Sequence, residues 1–200
     1  TPFVYQGEEI GMTNAEFGSV EELDDPMMIG AVEDALATGA VDSADELRDF
    51  WNYHSRDHAR TPMQWSDDEH AGFTDGEPWF PVNENYPEIN VEAARADEGS
   101  VWHHYRRLVA LRHEEDALVY GEYDLLLPDD EQVYAYTRTL GDERLLVVLN
   151  WSDEGATADL GGAADLDLTD VSVRLSNYDE TVPVPGERRF RPYEAVVYQR

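Results

Sequence analysis

The chain has 200 residues, 44 of them acidic and 14 basic, for a formal net charge of −30. Every basic residue is arginine and cysteine is absent, so a disulfide framework is excluded. So acidic a chain has no ordinary use for nucleic acid, since phosphate binding needs a basic face, or for an anionic membrane surface.

Residues 1–6 (TPFVYQ) are β-branched and aromatic and predict a short strand, followed by a loop over 7–12 with the adjacent carboxylates Glu8 and Glu9. A domain rarely opens inside a strand, which suggests a piece of something larger. Residues 13–42 are acidic and weakly periodic, with room for short helices such as one over Asp24–Thr38. Ser43 and Glu46 form a capping box. Leu47, Phe50, Trp51 and His54 then follow at i, i+3, i+4, i+7, the spacing of one apolar helical stripe. Residues 55–90 hold four prolines and no period. A loop of that length is usually functional.

A further helix is predicted over Ser100–Glu115, with Val101, Tyr105, Leu108, Val109 and Arg112 on one face. Beyond Gly121 the segments 122–127, 132–139, 144–151, 156–160, 171–176 and 194–199 are short and β-rich, with a hairpin turn at Leu140–Glu143. Strands at this spacing predict an antiparallel sandwich. The expected division is therefore 1–117 and 118–200.

Among so many acids a carboxylate pair carries little information, and Glu8-Glu9 or Asp67-Asp68-Glu69 mark no acid–base site. His54 and His58 lie four apart, but the sequence between them lacks the glutamate of H-E-x-x-H, and no third ligand follows. His103 and His104 diverge on a helix. Asp165, Asp167 and Asp170 lack the glycine and terminal glutamate of an EF-hand loop. No metal site is expected. There is no cysteine nucleophile, no G-x-S-x-G and no glycine-rich phosphate loop, so no catalytic residue and no cofactor are assigned.

What remains is the loop over 53–65 (YHSRDHARTPMQW). Arg56 and Arg60 are two of only four arginines in residues 1–100, against 24 carboxylates there. Trp51, Tyr53, Trp65, Phe73, Trp79 and Phe80 surround them in sequence. Aromatic platforms beside a guanidinium suit sugars, whose C–H faces stack and whose hydroxyls accept from the fork. The alternative for Arg56 and Arg60 is a local ion pair that only holds the loop.

This loop belongs to a longer pattern: TPFVYQGEEIGMTN over 1–14, SRDHARTPMQW over 55–65, AGF at 71–73, Pro78-Trp79, PVN at 81–83, Tyr86, INV at 89–91, YRRL at 105–108, Leu111-Arg112, Leu127-Pro128, Ala135-Tyr136 and RPYE at 191–194. On these residues the chain resembles the C-terminal third of the α-glucosidase and oligo-1,6-glucosidase branch of glycoside hydrolase family 13. The resemblance implies an α/β plus β architecture. Residues 1–6 would be the last strand of a (β/α)₈ TIM barrel, 7–98 its long loop and subdomain, and 100–115 its last helix. An antiparallel β-sandwich would follow from 118. The resemblance also places the nucleophile, acid/base and third carboxylate before Thr1. It implies that Arg60 holds the terminal sugar, with Trp65 supporting it. Histidine stands at 58 where asparagine is common in the family.

The parent protein would then be a retaining α-glucosidase acting on small α-glucosides, its partner the missing N-terminal part of the barrel. A trehalose-6-phosphate hydrolase or an α-glucosyl transferase of the same family is the alternative. A different class is a non-catalytic carbohydrate-binding sandwich, for which Tyr134, Tyr136 and Trp151 are candidates. The charge and the missing lysine point to a salt-loaded cytoplasm. At molar salt the Debye length is about 3 Å, short enough to quench the self-repulsion.

Overall fold

A computed structural model of the chain describes residues 2–161, 171–179 and 186–200. The acidic triplet Asp165, Asp167 and Asp170 lies outside the described residues. The chain divides into two compact units, Thr1–Tyr105 and Arg106–Arg200. This division falls before the expected 117/118 boundary because the end of one helix packs on the sheet that follows it.

In the first unit, helix α1 spans Pro26–Thr38. Asp25 caps it by accepting from the Met27 N–H, Pro26 occupies the first turn, and Gly39 ends it at a left-handed φ of 70°. These are the residue types each position favours. The capping box at Ser43 and Glu46 forms as read, but it opens a 3₁₀ turn over Ala44–Leu47, and helix α2 proper is Arg48–His54. Trp51 is the buried member of the predicted stripe, donating its indole N–H to the Phe17 carbonyl at 3.1 Å, while Phe50 stays exposed. Trp51 joins Phe17, Leu23, Met28, Val32 and Phe80 in one core. Truncating such a tryptophan costs about 4 kcal/mol.

The strand expected over residues 1–6 does not form: residues 2–5 carry no secondary structure and Phe3 is 93% exposed. No described strand runs beside this segment, and a strand without a ladder leaves its N–H and C=O groups unpaired. Helix α3 is Val91–Ala96, capped by the Asn90 side chain. Helix α4 is Val101–Glu114, where a helix was expected. Val101, Leu108 and Val109 of its predicted face remain exposed, and Leu111 is the buried position.

The second unit continues through helix α5, Asp116–Tyr120, into seven described strands: β1 Glu122–Leu126, β2 Val133–Leu140, β3 Glu143–Asn150, β4 Ala156–Asp159, β5 Ser172–Ser176, β6 Glu187–Phe190 and β7 Ala195–Gln199. One sheet runs β1-β2-β3-β7-β5 and the other pairs β4 with β6, all antiparallel. Gly141 takes a left-handed φ of 61° between β2 and β3, as a two-residue hairpin requires at its first central position. Strand β6, ERRF, was not read as a strand. Three charged residues in four hide its inward face, which carries Arg188 and Phe190.

The two sheets close on Leu126, Val133, Ala135, Leu146, Val148, Ala158, Phe190 and Tyr198. On the other face of the larger sheet Leu145, Val147 and Val197 pack with Leu111 and Ala117 of the helices. Strand β3 is thus covered on both faces, which explains its unbroken apolar run, LLVVL, in place of alternation.

Candidate functional site

The residues Arg56–Arg60 form a single 3₁₀ turn. The Ser55 hydroxyl opens it by accepting from the Asp57 N–H at 3.2 Å. Asp57 is fully buried. One of its oxygens accepts from the Asp24 and Asp25 N–H groups at 2.8 and 2.9 Å, and the other accepts from Nη1 of Arg60 at 3.1 Å.

Asp25 mirrors this arrangement. Its Oδ1 accepts from the Met27 N–H at 3.1 Å and from Nη2 of Arg56 at 2.5 Å. Its Oδ2 accepts from the Arg56 backbone N–H at 3.1 Å and its Nε at 3.0 Å. The Arg56 side chain, ahead of the backbone bonds, outweighs burial and holds the Asp25 carboxyl well below the usual carboxylate range. The same bonds raise the Arg56 guanidinium, keeping the pair charged. Two carboxylates and two arginines therefore staple the start of α1 to the turn.

The phenol of Tyr5 donates to the Ala59 carbonyl, next to Arg60. His58 lies against the Phe17 ring at 5.2 Å between centroids, and burial pushes its pKa down, favouring the neutral ring. Beyond Arg60, Gln64 is fully buried and donates to Asn85 Oδ1 at 3.0 Å and the Ile89 carbonyl at 2.6 Å. The Gln64 and Trp65 carbonyls accept from the Val91 and Glu92 N–H groups at 3.0 Å each. Gln64 is the clip that binds the long loop to α3, while the Trp65 side chain is half exposed.

A cavity of about 300 Å³ opens beside the turn, lined by Tyr5, Glu8, Asn14, Tyr53, His58 and Met63 among others. Ala59 and Thr61, the neighbours of Arg60, reach its wall. Arg56, Arg60 and Trp65 are not part of its lining. Tyr53, Trp65, Phe73 and Trp79 are exposed in this unit, Trp79 at 71%.

The structure thus brings Arg56 and Arg60 together in one turn and gives each a carboxylate. Arg56 meets Asp25 with both Nε and Nη2; Arg60 meets Asp57 with Nη1 and remains 38% exposed. Asp25 and Asp57 were not singled out from the sequence. The signal for Asp57 was its place inside R-D-x-x-R; Asp25 had only its position ahead of Pro26, one acid among many.

Residues 1–121 match the α-amylase catalytic domain, and residues 123–196 match the maltogenic amylase C-terminal domain. An oligo-1,6-glucosidase of Parageobacillus thermoglucosidasius is 45% identical over 200 residues, covering 100% of this chain and 35% of that protein. A trehalose-6-phosphate hydrolase of Escherichia coli (strain K12) is 41% identical over 196 residues, 98% of this chain and 34% of its own length. The crystal structure of a trehalose-6-phosphate hydrolase from Bacillus licheniformis superposes with a TM-score of 0.91 at 38% identity, over 100% of this chain and 36% of that one. The chain spans about a third of the length of these relatives.

Proposed function

This chain belongs to the α-amylase family, and from that premise we propose that it comes from a retaining α-glucosidase acting on the terminal bonds of small α-glucosides. Residues 1–117 are the end of the (β/α)₈ catalytic barrel in this reading and 118–200 its C-terminal β domain. The oligo-1,6-glucosidase and trehalose-6-phosphate hydrolase relatives support it. The nucleophile and the acid/base, which act through a covalent glycosyl-enzyme intermediate, come from the rest of the barrel.

One observation in this chain carries the role of its own residues. Arg60 is held through Nη1 by a buried carboxylate and stays partly exposed beside a cavity wall. A guanidinium has five N–H donors in a rigid fork, so an arginine pinned at one nitrogen keeps others for sugar hydroxyls. Arg56 is committed to Asp25 and holds the loop. Trp65, half exposed, lies five positions beyond Arg60 at the end of the same loop and would support it.

The test is turnover of isomaltose and a nitrophenyl α-glucoside by the full-length protein, with proton NMR of the first-formed sugar. Release of the α-anomer supports the reading, and release of the β-anomer or no turnover rejects it. The 200 residues alone should hydrolyse neither substrate. Arg60→Ala in the full-length protein should lower kcat/KM by more than about thirtyfold, since charge-assisted bonds are lost. Trehalose 6-phosphate, run in parallel, tests the alternative that the second relative raises.

A second reading rests on the β domain. Trp151, 68% exposed, borders a groove of about 340 Å³ with Leu125, Leu127, Gln132 and Tyr134. Tyr123 and Tyr134 share a hydroxyl–hydroxyl bond of 2.8 Å nearby. Such a row suits a sugar face, and Trp151→Ala losing retention on an α-glucan affinity column would support it. The charge favours a salt-loaded cytoplasm as the protein's setting.

A further inference from the structure

We infer that Asp57 is a positioning residue, a carboxylate that never meets the sugar but aims the guanidinium that does. The inference rests on the reading of Arg60 as the sugar-holding group.

A buried charge must be compensated on every side, and the compensation at Asp57 is divided. One oxygen is filled by the two backbone N–H groups of Asp24 and Asp25, at 2.8 and 2.9 Å. These come from the segment that opens α1, more than thirty positions earlier in sequence. The other oxygen faces Nη1 of Arg60 at 3.1 Å. The Asp57 N–H is itself taken by Ser55 at 3.2 Å. Shifting the carboxylate toward or away from Arg60 therefore means breaking bonds to α1.

The backbone before Arg60 is anchored separately, because the Tyr5 phenol holds the Ala59 carbonyl. With its backbone and one nitrogen both held, Arg60 has few ways left to swing. Asp25 and Arg56 lock the same segment of α1 to the same turn. The acidic subdomain around α1 thus acts as the buttress of the sugar-binding arginine.

Asp57→Asn separates these bonds. An amide has one acceptor and one donor end. With its oxygen on the Asp24 and Asp25 N–H groups, its NH₂ faces the Arg60 guanidinium, donor against donor. The stitch to α1 survives and only the hold on Arg60 is lost.

The experiment uses the full-length protein and a nitrophenyl α-glucoside, with melting temperature recorded for each variant. Wild type that turns nothing over rejects the glucosidase reading itself. Arg60→Ala with wild-type kcat/KM rejects the role of Arg60, and with it anything for Asp57 to aim. If Arg60→Ala is impaired, Asp57→Asn should lose at least tenfold in kcat/KM. The same substitution made in the Arg60→Ala background should change it less than twofold. Millimolar guanidinium should restore activity to Arg60→Ala and fail to do so once Asp57 is also replaced. If Asp57→Asn does not fold, Asp57→Glu takes its place, keeping the charge but displacing it by one methylene. Wild-type kcat/KM in the Asp57 variant, or losses at 57 and 60 that simply multiply, would overturn the positioning role.

Discussion

Glu194 is fully buried and sits among arginines. It accepts from Nη2 of Arg188 at 2.5 Å, and from Nη2, Nε and the backbone N–H of Arg191 at 3.0, 3.2 and 2.8 Å. Burial alone would push its carboxyl up, but the Arg191 bonds and the nearby Arg188 charge outweigh that and hold it below the ordinary value. A carboxylate depressed in the folded state adds stability above its unfolded pKa, near 4.3 for glutamate, and loses it as pH falls through the folded value. Glu194→Gln should cost about 3 kcal/mol at pH 7, because two arginines are left around a neutral amide. In urea unfolding, variant and wild type should converge well below pH 4; a difference that persists there contradicts the account. The same logic explains why R-P-Y-E could be matched as a motif but not weighed. Arg191 and Glu194 are neighbours in sequence, whereas Arg188 arrives through strand β6.

Between element and element a tight passage lies at Gly121, where α5 turns into β1. A Cβ there would lie 2.4 Å from the Ala117 carbonyl oxygen and 3.0 Å from both the N and the O of Thr139. All three are backbone atoms and cannot rotate aside. Gly121→Ala should therefore cost about 2 kcal/mol or more through forced backbone shifts, read as a lower denaturant midpoint with unchanged slope. Gly141→Ala offers a comparison. Nothing lies near its Cβ position, but its left-handed φ makes the change a matter of conformation alone, near 1 kcal/mol. Gly121 losing less than Gly141 would contradict the steric argument. In the sequence Gly141 reads as a hairpin-turn glycine and Gly121 only as the point where the β-rich segments begin, and only the packing around each separates a steric demand from a dihedral one.

Over the whole molecule the dominant fact is charge. At −30, mutual repulsion opposes compactness, and salt screens it. Arg48, Arg56, Arg60, Arg174, Arg188 and Arg191 nonetheless find carboxylates. At Asp25 and Glu194 an arginine meets the carboxylate through both Nε and Nη2, geometry a lysine ammonium cannot reproduce. Raising KCl from millimolar to molar should raise the melting temperature steeply, the screened repulsion exceeding the weakening of exposed ion pairs. A flat or falling profile by differential scanning calorimetry would reject the salt-loaded setting.

Local chemistry made much of this legible beforehand. The capping box at Ser43, the helix over 101–114, the hairpin at Gly141 and most strands follow from periodicities and turn residues that act within a few positions. The loop around Arg60 could be picked out because scarce arginines and aromatics stand out against an acidic background. Partnership across distance could not be read. Asp57 reaches back to Asp24 and Asp25, Gln64 reaches forward to Asn85 and Ile89, and no short-range pattern announces either. The opening segment shows the converse. Its residues suit a strand, but a strand exists only when a neighbour completes its hydrogen bonds, and propensity alone supplies none.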